Sequence, residues 1–383
     1  MPKNSEANLN NSRILVTGAN GFIGKNLVVR LGELEDVSVF TFGRDVDVAL
    51  LPQLLSQADA VVHLAGENRP ADPIALSEVN AGLTKILCDA IRYEHSRFGR
   101  SIPLLLASST QAEQDNPYGR SKLVAEQTVE QLAADIGNDV RVFRLPGVFG
   151  KWCEPNYNSV VATFCHNLAR GLPIEIHDPS ALLRLVYIDD VVSTFIKFLE
   201  RPGTGFSFEQ IEPEYRLTLG QLAGQIRAFD VCRASLMSER VGNGLVRALY
   251  ATYVSYLPPE RFSYSVPKYQ DERGVFVEML KTADSGQFSF FTVHPGMTRG
   301  SHYHHTKTEK FLVLKGQCRL RFRHLITSET YEVVIRSNQP QVVDTIPGWV
   351  HDITNIGKAE AIVALWANEV FDPNLPDCIP CDV

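Results

Sequence analysis

Three glycines spaced three residues apart, Gly18, Gly21 and Gly24, follow directly on the apolar run Arg13-Ile14-Leu15-Val16-Thr17. A short buried strand, a glycine turn and a helix opening from that turn leave few folds open to the chain. Glycine lets the backbone turn tightly and approach a pyrophosphate, and a helix N-terminus stabilises the negative charge. The helix is expected to run to about Gly32. Apolar strand-like runs recur at 37–42, 60–64, 103–107 and 140–145, separated by helical stretches such as 80–93 and 119–135. Strands alternating with helices build a parallel sheet. The first half is expected to be α/β, a doubly wound Rossmann-like domain.

From Pro258-Pro259 the pattern changes. Short β-rich runs with glycine turns follow at 274–280, 287–293, 310–315, 317–323, 330–335, 341–345 and 361–366. That spacing suggests an all-β sandwich or barrel. Residues 216–256 read as helical. The expected organisation is therefore a flexible lead-in over 1–12, an α/β domain over 13–257 and a β domain over 258–383.

At 383 residues and 44% hydrophobic, the chain is long enough for two sizeable cores. It lacks an apolar run long enough to span a membrane, and its start lacks the apolar stretch of a secretory signal. Seven scattered cysteines suggest reduced thiols in the cytoplasm. Cys378-x2-Cys381 is expected to be an exposed, reduced pair. A net charge of −7 argues against nucleic-acid binding but allows a local basic pocket for an anionic substrate.

Other residues fit the glycine turn. His63-Leu64-Ala65-Gly66 ends one strand and Ser108-Ser109-Thr110 another; Tyr118 and Lys122 then open a helix. Spacing i, i+4 puts Tyr118 and Lys122 on one face. An ammonium beside a phenol is expected to lower its pKa, and Ser109 (or Ser108 or Thr110) can hold a substrate carbonyl. The ordered set resembles the extended short-chain dehydrogenase/reductase superfamily over 13–240, including Arg144-Leu145-Pro146-Gly147 and Leu183-Arg184-Leu185-Val186-Tyr187. The resemblance implies cofactor contacts from Gly18, Asn20, Gly21, Phe22, Ile23, Gly24, Leu64, Ala65, Gly66, Tyr118, Lys122 and Leu145. It also implies substrate contacts from Arg184 and Asn158. Asp189 or Asp190 is expected to cap a helix. The second strand ends at Phe42-Gly43-Arg44 with no acid, so Arg44 suits a 2′-phosphate and NADPH is expected, with Asp45 as the opposing sign.

In the β half, Gly296-x5-His302-x-His304-x4-Glu309-x6-Gly316 resembles the first cupin motif, and Pro347-Gly348-Trp349-Val350-His351-x3-Asn355 the second, with Pro and Gly unusually adjacent. A jelly-roll barrel is implied. Strand alternation points His302 and His304 to one side. With Glu309 and His351 they make a candidate site for a divalent metal, zinc favoured. Asp271-Glu272-Arg273-Gly274 and the stretch around His302 also resemble cupin-fold sugar epimerases, where the matching His is a general base. His302 thus has two readings.

The pairing of the two halves resembles the bifunctional enzymes of bacterial capsule and O-antigen synthesis on the route to UDP-N-acetyl-L-fucosamine. Phrases such as Gln114-Asp115-Asn116-Pro117-Tyr118-Gly119 and His304-His305-Thr306-Lys307 carry that likeness. It implies C3 epimerisation of a UDP-2-acetamido-2,6-dideoxy-4-hexulose by the cupin, then NADPH-dependent reduction of the 4-ketone to the L-talose form. A homodimer is expected. Two other readings stand beside it: a single-function 4-ketoreductase whose cupin only dimerises the chain, and an NADPH-sensing regulator.

Overall fold

The computed structural model describes residues 9, 11–68, 76–201, 203–374 and 376–383. The chain forms two compact units: 1–226 with 248–257, and 227–247 with 258–383.

The strands of the first unit are β1 (Arg13–Thr17), β2 (Ser38–Phe42), β3 (Ala60–His63), β4 (Leu104–Ser109), β5 (Val140–Leu145), β6 (Gly147–Phe149), β7 (Leu182–Tyr187), β8 (Phe206–Glu209) and β9 (Glu214–Thr218). Six of them form a parallel sheet in the order β2-β1-β3-β4-β5-β8. The order reverses beside β1, and in open α/β sheets the crevice at such a switch point is where ligands bind. The central strands are continuous apolar runs because helices cover the sheet. Leu15, Val61, Leu104 and Val142 pack with Leu87 and Ile91 of helix Leu83–Phe98 and Val129 and Leu132 of helix Pro117–Ile136. A second sheet, β6-β7-β9, was not anticipated from the sequence. The expected helix over 216–256 is two, Leu219–Ser235 and Gly244–Ser255. A break between them holds a short strand.

That strand, β10 (Met237–Ser238), belongs to the second unit. It is followed by β11 (Lys268–Asp271), β12 (Gly274–Thr282), β13 (Gln287–Val293), β14 (Thr298–Tyr303), β15 (Glu309–Lys315), β16 (Gln317–His324), β17 (Thr330–Arg336), β18 (Val342–Asp344), β19 (Trp349–Asn355), β20 (Ala361–Ala367) and β21 (Ile379–Pro380). One sheet runs β10-β12-β13-β20-β15-β18, with β11 beside β12; the other runs β17-β16-β19-β14-β21. Inward residues of both pack as one core, among them Phe291, Phe311 and Val363 from the first sheet and Leu320, Phe322 and Ile353 from the second. Alternation along each strand produces that inner face. Cys378 and Cys381 are half-buried, not exposed as expected. The tail that carries them forms β21 against β14, so its backbone is held in the sheet.

Candidate functional sites

The glycine turn is required by the chain's own packing. Gly18 has φ +68°. A Cβ there would lie 2.6 Å from the Ala65 nitrogen, and one at Gly24 would lie 2.3 Å from the Gly18 carbonyl oxygen. Helix Phe22–Gly32 starts at Gly21 with no side-chain cap and no acid in its first turn. Its free amides, Phe22 and Ile23 among them, therefore keep their positive end for an anion.

The Leu64–Gly66 segment is held against this turn by a relay. Leu64 and Ala65 amides donate to Thr17 Oγ1 at 3.2 and 3.1 Å. Thr84 Oγ1 donates to the Asn80 carbonyl at 2.6 Å, so it accepts from His63 Nε2 at 2.9 Å. His63 Nδ1 then accepts from Thr17 Oγ1 at 2.6 Å. Burial, with the Lys122 charge, lowers the His63 pKa to about 3 and keeps it neutral, as this tautomer requires. Asn80, which no motif flagged, accepts from the Glu67 amide and donates to the Glu67 carbonyl and to Ser121 Oγ.

Tyr118 and Lys122 stand on helix Pro117–Ile136, started by Asn116, whose side chain accepts from the Gly119 amide at 2.7 Å. Lys122 is buried, with Nζ donating to the Ala107 carbonyl at 3.3 Å and lying 5.9 Å from the Tyr118 ring centre. Burial lowers its pKa to about 8, opposed by Glu126. The expected lowering of Tyr118 is not what the surroundings give. Burial raises its pKa, and the Ser109 hydrogen bond only partly opposes this, so Tyr118 is a protonated phenol placed to donate. Among the three hydroxyls considered, Ser109 is the one bonded to Tyr118. Ser108 Oγ is taken by Glu126, itself clamped by Arg144 at 2.7 Å. Leu145 lies opposite Ser109 in register, buried at the end of β5.

Arg44 follows β2 and is 84% exposed, its guanidinium paired with Glu67. Arg184 on β7 forms a two-pronged pair with Glu214 at 2.9 and 2.7 Å. Glu214 also meets Arg216, and the two arginines hold its pKa at about 2 against partial burial. Asn158 is exposed, just before helix Val160–Leu168. Asp189 and Asp190 lie in the first turn of helix Ile188–Glu200 and do not cap it; Tyr187 holds the cap position. Asp189 instead accepts from Lys151 Nζ at 2.6 Å.

In the second unit, the donor atoms of His302, His304, Glu309 and His351 all lie within 4.8 Å of one another. His302 pairs directly with His351 across β14 and β19. A bulge between Gly300 and His302, with Ser301 at φ +60°, turns the strand there. His304 lies past the end of β14, so strand alternation is not what brings it to His302. The Nε2 atoms of all three histidines are buried without a hydrogen-bond partner among the described residues. Glu309 Oε2 stands 3.5 Å from His304 Nε2 and 3.6 Å from His351 Nε2, close to the roughly 3.4 Å that two donors take around one tetrahedral Zn²⁺. Lys307, buried and also unflagged, pairs with Glu309 Oε1 at 3.1 Å. Burial alone would raise the Glu309 carboxyl; His304, His351 and Lys307 outweigh it and hold it well below the usual range. Burial, then His351, lowers the His302 pKa to about 4. Three imidazoles whose donor atoms converge with a carboxylate are a donor set that fits a divalent cation.

Residues 14–212 match the NAD dependent epimerase/dehydratase family, and residues 269–379 match the polysaccharide biosynthesis C-terminal domain. The chain is 53% identical to UDP-2-acetamido-2,6-beta-L-arabino-hexul-4-ose reductase of Pseudomonas aeruginosa, over 97% of this chain and 99% of that protein. The capsular polysaccharide assembling protein CapF of Staphylococcus aureus superposes with a TM-score of 0.87 at 39% identity, over 97% of this chain and 100% of its own. A structure of CapF with the inhibitor 3-isopropenyl-tropolone gives 0.83 at 35%, over 97% and 100%.

Proposed function

Because this chain belongs to the NAD dependent epimerase/dehydratase family, we propose that it is a two-step enzyme of capsule or O-antigen synthesis. It would act on a UDP-2-acetamido-2,6-dideoxy-4-hexulose, first epimerising C3 in the β unit (expected at 258–383) and then reducing the 4-ketone in the α/β unit (expected at 13–257). The observation that carries this reading is the end-to-end likeness to a UDP-hexulose reductase in a chain that holds both a Tyr118–Lys122–Ser109 set, with Lys122 and Ser109 buried and Tyr118 half-buried, and a convergent His/Glu cluster.

The cofactor proposed is NADPH, bound along Gly18–Gly24 and Leu64–Gly66, with Arg44 as partner of the 2′-phosphate. When bound, it supplies the hydride for C4. Ser109 orients the ketone, Tyr118 gives its phenolic proton to the C4 oxygen, and Lys122 supports the resulting phenolate. Arg184 and Asn158 are proposed substrate contacts, Arg184 for the diphosphate.

A C3 proton lies α to the 4-ketone, so its removal leaves an enolate that a modest base can form. His302, His304, Glu309 and His351 would hold a divalent metal, zinc favoured, which would supply Lewis acidity to stabilise such an enolate. Since its Nε2 converges with the other donors, His302 is assigned as a ligand rather than a base. Epimers differ little in free energy, and reduction removes the ketone that permits exchange, so epimerisation comes first. The seven free cysteines support a reducing compartment, the cytoplasm. No helix among the described residues is long and apolar enough to cross a membrane. A homodimer completes the proposal.

The decisive experiment is solvent-deuterium exchange at C3 of the 4-keto sugar nucleotide. Exchange is expected without NADPH and with Tyr118→Phe, and reduction is expected only with NADPH. Loss of exchange in Tyr118→Phe would overturn the division of labour.

A further inference from the structure

The last residues of the chain are stitched to the His/Glu site. Asp377 Oδ1 accepts from the His305 amide at 2.8 Å. Its Oδ2 accepts from the Thr306 amide at 2.7 Å, the Lys307 amide at 2.8 Å and Thr306 Oγ1 at 3.0 Å. The Asp377 main-chain carbonyl accepts from His304 Nδ1. Further along, β21 pairs with β14 opposite His302 and Tyr303, and the Cys381 amide donates to the Ser301 carbonyl at 2.9 Å. Every residue from 301 to 307 thus meets the tail. That segment holds two of the four clustered donors, and Glu309 begins the strand that follows it.

These contacts do two separate things. A carbonyl can only accept, so His304 carries its proton on Nδ1 and leaves the Nε2 lone pair turned into the cluster. A carbonyl or carboxylate partner on the far nitrogen is how proteins fix the ring and tautomer of a metal-binding imidazole. Meanwhile the carboxylate gathers three consecutive amides of a connection that belongs to no strand. Charge-assisted bonds of this kind are about twice as strong as neutral ones, and they hold the spacing between His304 and Glu309.

We propose that Asp377 is a positioning residue of the His/Glu site, fixing the His304 tautomer through its carbonyl and the 305–307 connection through its carboxylate. The inference rests on reading the cluster as a metal site.

The test uses full-length wild-type protein, Asp377→Ala and Asp377→Asn, stripped of metal and titrated with Co²⁺ against a chromophoric chelator. Asp377→Ala is expected to bind about 10–100-fold more weakly, with a changed Co²⁺ visible spectrum. Asp377→Asn, which keeps one acceptor oxygen in place, is expected to lose less. Imidazole ¹⁵N NMR of the metal-free wild type should show His304 as the Nδ1–H tautomer, a readout that stands even if Asp377→Ala does not fold. Wild-type protein that binds no Co²⁺ would remove the metal reading and this inference with it. Tight Co²⁺ binding in wild type with equal affinity and spectrum in Asp377→Ala, or an Nε2–H His304, would overturn the inference and leave the metal reading intact.

Discussion

The two candidate sites differ in how far the protein satisfies its own polar groups. Around Tyr118 the network closes: Lys122 donates to Ala107, Asn80 ties Glu67 to Ser121, and Thr17 and Thr84 take both nitrogens of His63. Around Glu309 three buried imidazole nitrogens have no hydrogen-bond partner among the described residues. Each such group costs about 1–3 kcal/mol, which a bound cation would offset. The first site is shaped before any ligand arrives. The second brings its donors together yet leaves three of their nitrogens without a hydrogen bond among the described residues. Their sensitivities should differ accordingly.

The largest expected effect tests whether the sites are chemically separate. Tyr118→Phe should slow reduction by about 10²–10⁴-fold, followed as NADPH consumption, while C3 exchange continues. A comparable fall in both would collapse the distinction. Next, Glu309→Gln should weaken metal binding by more than about 100-fold, since even indirect partners of a metal site are worth 10–100-fold. Chelator competition measures this, and NADPH-dependent reduction of an already epimerised ketone should persist. A smaller effect is expected at Arg44. Its change to Ala should cut the preference for NADPH over NADH by about 10–100-fold, equivalent to one charged hydrogen bond of about 1.5–3 kcal/mol, read from the ratio of kcat/KM values.

The smallest effect concerns stability and sharpens the idea that the first site is built at a cost. The Lys122 ammonium is buried, with its pKa lowered from 10.5 to about 8. Below about pH 8 it is charged folded and unfolded, so the full burial penalty applies. Between about pH 8 and 10.5 the unfolded state holds the extra proton, so stability rises with pH and the penalty fades. Lys122→Met should therefore raise Tm by a few degrees at pH 7 while abolishing efficient reduction, and its advantage should disappear by about pH 10.5. Thermal melts across that range would show it.

Much of the fold is legible because buried parallel strands are unbroken apolar runs: Leu15, Val61, Leu104 and Val142 all lie on strands expected from sequence. The turn glycines are legible for a related reason, since only glycine tolerates the approach of Ala65 to Gly18. The strands that bear the cluster are harder to see. Thr298-Arg-Gly-Ser-His-Tyr303 and Trp349-Val-His-Asp-Ile-Thr-Asn355 are rich in polar residues because they line a site, and β14 is further disturbed by a bulge. The reading of 216–256 as helical missed β10, two residues too short to show a period. Asn80 and Asp377 act through backbone groups far away in sequence, which no spacing rule reports. Lys307, two residues from Glu309 inside a recognised motif, was within reach.

Met237–Ser238 lies in a stretch where the chain passes from one unit to the other and back. Residues 227–247 belong with the β unit, whereas 248–257, carrying the buried Leu249 and Tyr253, return to the α/β unit. As the chain leaves the ribosome, β10 emerges well before its partner β12 exists, and the α/β unit receives its closing segment only afterwards. A stop codon placed anywhere in this stretch would leave a fragment either short of core or trailing an orphaned strand. The gene therefore has no single position at which the two units can be cut apart and expressed cleanly.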